Sequence, residues 1–195
     1  MLICVTNRKL CKDDFINRIN EIAKGKPHAI LLREKDLDIS QYENLAKKVN
    51  EICVKNQVLL ILNQNIQTAA KLELPLIHLS MPDLRKYKKE IKMFSGIGAS
   101  VHSVHEAKEA HELGATYLIA GHVFSTECKK GVPPRGLTFI QEVSKAVTVP
   151  VFGIGGITKH NFRDVLDSGA RGVCTMSEAM TCMKPAELAD SFIRR

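Results

Sequence analysis

Eight short apolar runs, each followed by an amphipathic stretch, recur along the 195 residues of the chain. The runs are Leu2–Thr6, Ala29–Arg33, Val58–Asn63, Leu76–Leu79, Gly96–Ser100, Tyr117–Gly121, Val149–Ile154 and Gly172–Met176. Between and after them, helical periodicity marks Asp13–Ala23, Ser40–Lys55, Ile66–Leu72, Asp83–Lys92, Val104–Leu113, Thr138–Ala146, Asn161–Ser168 and Pro185–Ile193. Strands in strict alternation with helices pair in parallel. Near-continuous apolar character is what strands covered on both faces require. Eight such units close into a barrel, so the expected fold is α/β, a single (β/α)8 TIM-barrel domain over residues 1–195, slightly short for the class. An open doubly wound sheet would call for a glycine-rich turn after the first strand, and Thr6-Asn7-Arg8-Lys9 has none. Ser40 ahead of Gln41 to Glu43, and Ser103 ahead of Glu106, read as helix N-caps. Gly114 and Gly169 stand at expected helix C-termini.

The six cysteines are scattered, with no C-x-x-C pair. This spacing reads as reduced thiols in a cytoplasmic protein. The segment MLICVTNRKL lacks the apolar core of a signal peptide, and no apolar run reaches the ~18 residues of a membrane span. The net charge of +7 leaves an anionic ligand or nucleic acid open. The densest basic run, Arg85, Lys86, Lys88, Lys89 and Lys92, lies on a helical stretch with few apolar residues and reads as a solvated face. Neither zinc-finger spacing nor an RNP-type aromatic motif accompanies it, so no nucleic-acid partner is expected.

In this fold the site forms at the carboxyl ends of the strands. The residues there are Thr6, Arg33, Asn63, Ser80, Ser100, His122, Gly155 with Gly156, and Ser177. The glycine pair after strand seven and the turn Met176-Ser177 after strand eight form the two halves of a phosphate cradle. The longest irregular stretch, Val123–Gly136, carries Thr126, Cys128 and Lys129 and is read as functional. His122, at a strand mouth, is suited to take and return a proton near neutrality. Arg33 and Lys35 either receive an anion or pair with Glu34 and Asp36 at the rim. His78 is read as a satisfied core or rim group and His102 as a group that orients its loop, while His28, His105, His111 and His160 read as exposed. For a metal, Asn63-Gln64-Asn65 offers no carboxylate, and Asp83 alone needs substrate oxygens to complete a Mg²⁺ site.

Arg33-Glu34-Lys35, His78-Leu79, Gly98 to Ser103, Gly121 to Lys130, Ile154 to Ile157 and Gly169 to Met176 together resemble the thiamine phosphate synthase superfamily over nearly the whole chain. The resemblance implies one of two activities. Synthases join a diphosphorylated pyrimidine to a thiazole phosphate, using Mg²⁺, whereas TenI-type thiazole tautomerases isomerise the carboxythiazole phosphate precursor to its aromatic form. Ser100-Val101-His102-Ser103 and the stretch from Gly121 through Arg135-Gly136 look like the tautomerase version. Synthases usually have proline at position 122 and threonine at 128. They carry Asn-Asp where this chain has Asn63-Gln64, Gly-Gln-x-Asp where it has Ser80-Met81-Pro82-Asp83, and glutamine at position 31 where it has leucine.

The expectation from these departures is a cofactor-independent thiazole tautomerase, an isomerase with His122 as its acid–base. Arg33, Lys35, Asn63, Ser100, His102, Thr126, Cys128, Lys129, Gly155, Gly156, Met176 and Ser177 are then the substrate-binding residues for a phosphorylated thiazole. The alternatives are a thiamine phosphate synthase with Mg²⁺ at Asp83, and a non-catalytic thiazole-phosphate binder that regulates a partner. The resemblance also implies a homodimer.

Overall fold

A computed structural model describes residues 1–193, so Arg194 and Arg195, which the single-domain expectation took in, lie outside the described residues. Its eight strands are β1 (Leu2–Val5), β2 (Ala29–Leu32), β3 (Leu59–Asn63), β4 (Leu76–Ser80), β5 (Gly96–Val101), β6 (Tyr117–Gly121), β7 (Val151–Ile154) and β8 (Gly172–Thr175). They form one closed parallel barrel in chain order. β8 returns to β1 through Leu2↔Val173, Ile3↔Cys174 and Cys4↔Thr175. The helices outside the ring are α1 (Phe15–Lys24), α2 (Ile39–Asn56), α3 (Ile66–Lys71), α4 (Met81–Lys86), α5 (Val104–Glu112), α6 (Gly136–Ala146), α7 (Phe162–Asp167), α8 (Ser177–Thr181) and α9 (Leu188–Ser191).

Because side chains alternate across a strand, each run serves two cores. Ile3, Val5, Ala29, Leu31, Ile61, Ile119, Phe152 and Cys174 fill the barrel interior. Their neighbours, including Leu2, Cys4, Ile30, Leu32, Leu60 and Leu62, pack under the helices. Full burial of each large aliphatic side chain is worth roughly 1.5–3 kcal/mol, which explains strands that are apolar at most positions. Polar tethers set the helix positions. The Tyr42 hydroxyl of α2 donates to Leu32 O at 2.8 Å and accepts from Asn63 N at 3.3 Å, tying the helix to the ends of β2 and β3. The guanidinium of Arg18, buried on α1, grips Asp13 with Nε at 3.0 Å and Nη2 at 2.6 Å.

Local differences from the sequence reading have identifiable causes. Asp38, not Ser40, caps α2: its carboxylate accepts from Gln41 N at 2.8 Å, and the Gln41 side chain accepts from Asp38 N at 3.3 Å. Ser40 is an exposed residue inside the first turn. Ser103 does cap α5, accepting from Glu106 N at 3.0 Å. Asp83–Lys92 is not one helix. Ser80 caps α4 and Pro82 occupies its first turn, so the helix starts earlier and ends at Lys86, with a separate 3-10 turn over Glu90–Met93. Lys88 and Lys89 between them are exposed and give the chain nothing to bury there. Pro185–Ile193 likewise divides into a 3-10 turn, Pro185–Glu187, and α9.

The two N-cap assignments for α2 separate in a urea titration. Asp38→Ala is expected to lower unfolding stability by ~1 kcal/mol, the usual cost of a lost N-cap, whereas Ser40→Ala leaves the midpoint unchanged. The opposite ranking would restore Ser40 as the cap.

Candidate active site

The carboxyl ends of the strands surround a cavity of about 430 Å³. Its first sector is the expected phosphate cradle. Gly155 and Gly156 take φ of +102° and +64°, a region where L side chains are strained. A Cβ on Gly155 would lie 2.3 Å from His122 Cβ, and one on Gly156 2.5 Å from Ser125 O. This close approach lets loop six lie directly on loop seven, with Val123 N donating to Ile154 O at 2.9 Å and Phe124 N to Gly155 O at 3.0 Å. Asn161 Nδ2 holds Gly156 O from behind at 3.0 Å. Met176 and Ser177, at the end of the neighbouring β8, border the same cavity. Among the described residues, no acceptor takes the backbone N–H of Gly156 or Ser177, which leaves both for a ligand.

The second sector is cationic. Arg33, Lys35 and Lys129 all line the cavity. The Lys35 ammonium is pushed below its ordinary pKa, first by burial and then by repulsion from Arg33 and Lys129, against an opposing pull from Asp83. The expected rim network does not absorb these charges. Glu34 turns away into the barrel, accepting from Thr6 Oγ1 at 2.7 Å and Arg8 N at 3.1 Å, while Asp36 pairs with Arg8 at 2.7 Å and Lys9 at 3.2 Å. Among the described residues, neither Arg33 nor Lys35 has an ion-pair partner. Converging cations without counter-ions make an anion site.

Asn63, Gln64, Ser80 and Asp83 form the third sector. Asn63 Nδ2 donates to Gln64 Oε1 at 3.0 Å, and Gln64 Nε2 donates to Asp83 Oδ2 at 2.6 Å. Ser80 Oγ donates to the same oxygen at 2.6 Å. Asp83 thus stands one hydrogen bond behind the cavity wall. No group of three His, Cys, Asp or Glu side chains suited to a metal exists among the described residues.

Histidines supply the rest. His102 Nδ1 meets Gly121 O at 2.9 Å, so His102 links the ends of β5 and β6. His122 is buried, and its Nε2 lies 3.2 Å from Val132 O. Its own carbonyl accepts from Arg135 N at 2.9 Å, so the residue holds both arms of loop six. That loop contains a 3-10 turn, Glu127–Lys129, capped by Thr126. It brings Cys128 Sγ to 4.0 Å from Ser177 Oγ. His78 is enclosed in the barrel, with Nε2 2.8 Å from Ser100 Oγ and Nδ1 3.3 Å from Tyr117 Oη. Burial, aided by Arg33, pushes its pKa down to about 3. His28, His105 and His160 are exposed as expected, but His111 is half-buried.

All thirteen residues expected to act or bind, His122 and the twelve others, border this one cavity. Sequence reading missed Thr158, Thr175 and Glu178 in its wall and Tyr117 behind it. Glu178 adjoins Ser177 and was within reach of a motif reading. Tyr117 sits at the start of a strand, remote in sequence from any mouth, and its one signal is the glycine opposite, Gly98.

Residues 2–179 match the family model described as thiamine monophosphate synthase. A thiamine-phosphate synthase of Fusobacterium nucleatum is 32% identical over 189 residues, covering 94% of this chain and 92% of the relative. One from Desulfitobacterium hafniense is 33% identical over 196 residues, with 98% and 95% covered. Among solved structures, thiamine phosphate pyrophosphorylase from Pyrococcus furiosus superposes with a TM-score of 0.87 at 27% identity, over 98% of this chain and 92% of that one. These relatives overturn the thiazole tautomerase expectation, and with it the isomerase class, in favour of the synthase alternative. The geometry gives the reason the departures misled. His122 Nε2 is engaged by a loop carbonyl, and Gln64 still reaches the carboxylate of Asp83, so the substituted positions keep the cavity assembled.

The neutral His78 has a consequence for stability. An unfolded chain takes up a proton near pH 6.5, while the folded one resists it down to about 3. Stability from this group is therefore complete above pH 6.5 and is lost as pH falls toward 3, by up to roughly 1.4 kcal/mol per pH unit. Urea unfolding of His78→Gln is expected to show a shallower acid slope just below pH 6.5 than the parent; equal slopes would mean that His78 protonates in place.

Proposed function

Because the chain belongs to the thiamine monophosphate synthase family, we propose that it is a transferase of the thiamine phosphate synthase type. It joins hydroxymethylpyrimidine diphosphate to thiazole phosphate and releases diphosphate. The observation that carries this reading is the presence of two separate anion-receiving sectors at one barrel mouth. Arg33, Lys35 and Lys129 form one, and the backbone of Gly155, Gly156 and Ser177 forms the other. Two phosphorylated substrates held at once need both.

In this reading the cations hold the diphosphate, and the cradle holds the phosphate arm of the thiazole. Asn63 and Ser100, on the wall between, face the pyrimidine. The methylene–oxygen bond of the pyrimidine substrate breaks, its electron pair leaves with the diphosphate, and the methylene carbon bonds to the thiazole nitrogen. Arg33, Lys35 and Lys129 lower the cost of the charge that grows on the leaving group. His122 keeps loop six, with Thr126, Cys128 and Lys129, seated against the cradle and away from bulk water.

A divalent cation fits this donor set in one way. Mg²⁺ accepts one or two carboxylates together with substrate phosphate oxygens, and the chain supplies the Asp83 carboxylate with the amide of Gln64 beside it. Once bound, the metal would neutralise charge on the diphosphate. Two copies per assembly and a cytoplasmic place of action belong to the same proposal.

The decisive assay supplies both substrates, with and without Mg²⁺, and follows diphosphate release and the coupled product by chromatography. Release is expected only with both substrates and the metal present. Absence of release under all conditions would end the synthase reading. Arg33→Ala is expected to lower kcat/KM by ~10–100-fold, the scale of one charge-assisted contact to phosphate. Gln64→Asp, which adds a second carboxylate, is expected to reduce the Mg²⁺ concentration needed for half-maximal rate.

A further inference from the structure

The polar chain behind Ser100 has a direction that hydrogen-bond satisfaction determines. Tyr117 is half-buried overall, but its hydroxyl is turned into the barrel against His78, and burial raises the phenol pKa so that it stays protonated. A phenol O–H turned into the barrel interior needs an acceptor. Among the described residues its hydrogen-bond partner is His78 Nδ1, 3.3 Å away. Nδ1 must then be the bare nitrogen of a neutral imidazole, with the proton on Nε2. Nε2 lies 2.8 Å from Ser100 Oγ, so the ring donates to the serine oxygen. The serine proton cannot return along that line and is left for the cavity, which Ser100 borders.

The sequence makes room for this arrangement at one position. Gly98 is paired with both His78 and Tyr117 in the sheet. A Cβ there would lie 2.3 Å from Tyr117 Oη and 2.4 Å from His78 Nδ1. Glycine in a strand interior weakens the strand and marks a close approach; here the approach is the phenol meeting the imidazole.

We propose that Tyr117 and His78 are positioning residues that lock the Ser100 hydroxyl as a one-way hydrogen-bond donor into the cavity, so that the substrate atom seated against it is an acceptor. An unrestrained serine adapts to donors and acceptors alike. A locked one leaves a donor-bearing analogue with an unpaired polar group, which is how buried polar sites reject near-isosteres. A donor fixed before the reaction also needs no reorientation as charge develops.

The tautomer is a property of the ligand-free protein, and only the kinetic consequence rests on the synthase reading. Long-range ¹H–¹⁵N correlation of ¹⁵N-histidine-labelled protein, with His78 assigned through His78→Gln, is expected to show Nε2–H and a bare Nδ1 between about pH 8 and pH 5. A proton on Nδ1 in that range overturns the proposal. In the coupled assay, Tyr117→Phe is expected to lower kcat by about three- to tenfold with little change in KM. In a Ser100→Ala background the same substitution is expected to cost nothing further, because there is no hydroxyl left to orient. Additive losses would mean a merely structural role and would also overturn it. If no coupling occurs at all but Nε2–H is observed, the activity assignment falls and the lock stands.

Discussion

The ladder between β8 and β1 turns eight parallel strands into a ring without edges. Closure places every strand terminus of one polarity on a single rim, so residues as distant in sequence as Arg33 and Ser177 border the same space. It also divides each strand between two interiors. The inner one is filled by short aliphatic side chains and by Phe152, which meets Tyr117 edge-on at 6.0 Å and stacks with His28 at 6.3 Å. That filling seals the barrel below the mouth. Chemistry is left to the loops above a rigid floor.

On that rim the charges are arranged by what the acids do. Glu34 lies between two cations in sequence, yet it is drawn inward by Thr6 and the Arg8 amide. Asp36 is taken up by Arg8 and Lys9. The removal of both acids leaves Arg33 and Lys35 for a ligand. On the same rim, two glycines at positive φ let loop six approach closely, and His122 fastens that loop at Val132 O. The cavity thus brings unpaired cations and open backbone N–H groups to one rim.

Much of this was legible in the chain. The apolar runs defined the barrel, and the polar residues at their ends, Thr6 excepted, are residues that line the mouth. Boundaries were less legible where two capping residues compete. Asp38 prevails over Ser40 because Gln41 closes the box with it from three residues on. The stretch Asp83–Lys92 reads as helical by propensity, but beyond Tyr87 its exposed Lys88 and Lys89 offer no apolar face, and helices in proteins persist through such packing. The activity was misread at His122 and Gln64, where residue type alone suggested lost metal chemistry and gained proton transfer. A histidine at a strand mouth is compatible with either role, and only its hydrogen-bond partner distinguishes a base from a loop fastener.

The sequence by itself determined the architecture, because the period of apolar residues and the alternation of units admit few closed topologies. It also determined which residue types reach the mouth, because strand ends are set by where apolar runs stop. Only the tertiary structure decided which charges are neutralised, which backbone N–H groups stay open, and which way the proton points along Tyr117, His78 and Ser100. Each of these depends on distances between residues on different strands, and a linear pattern carries no such distances.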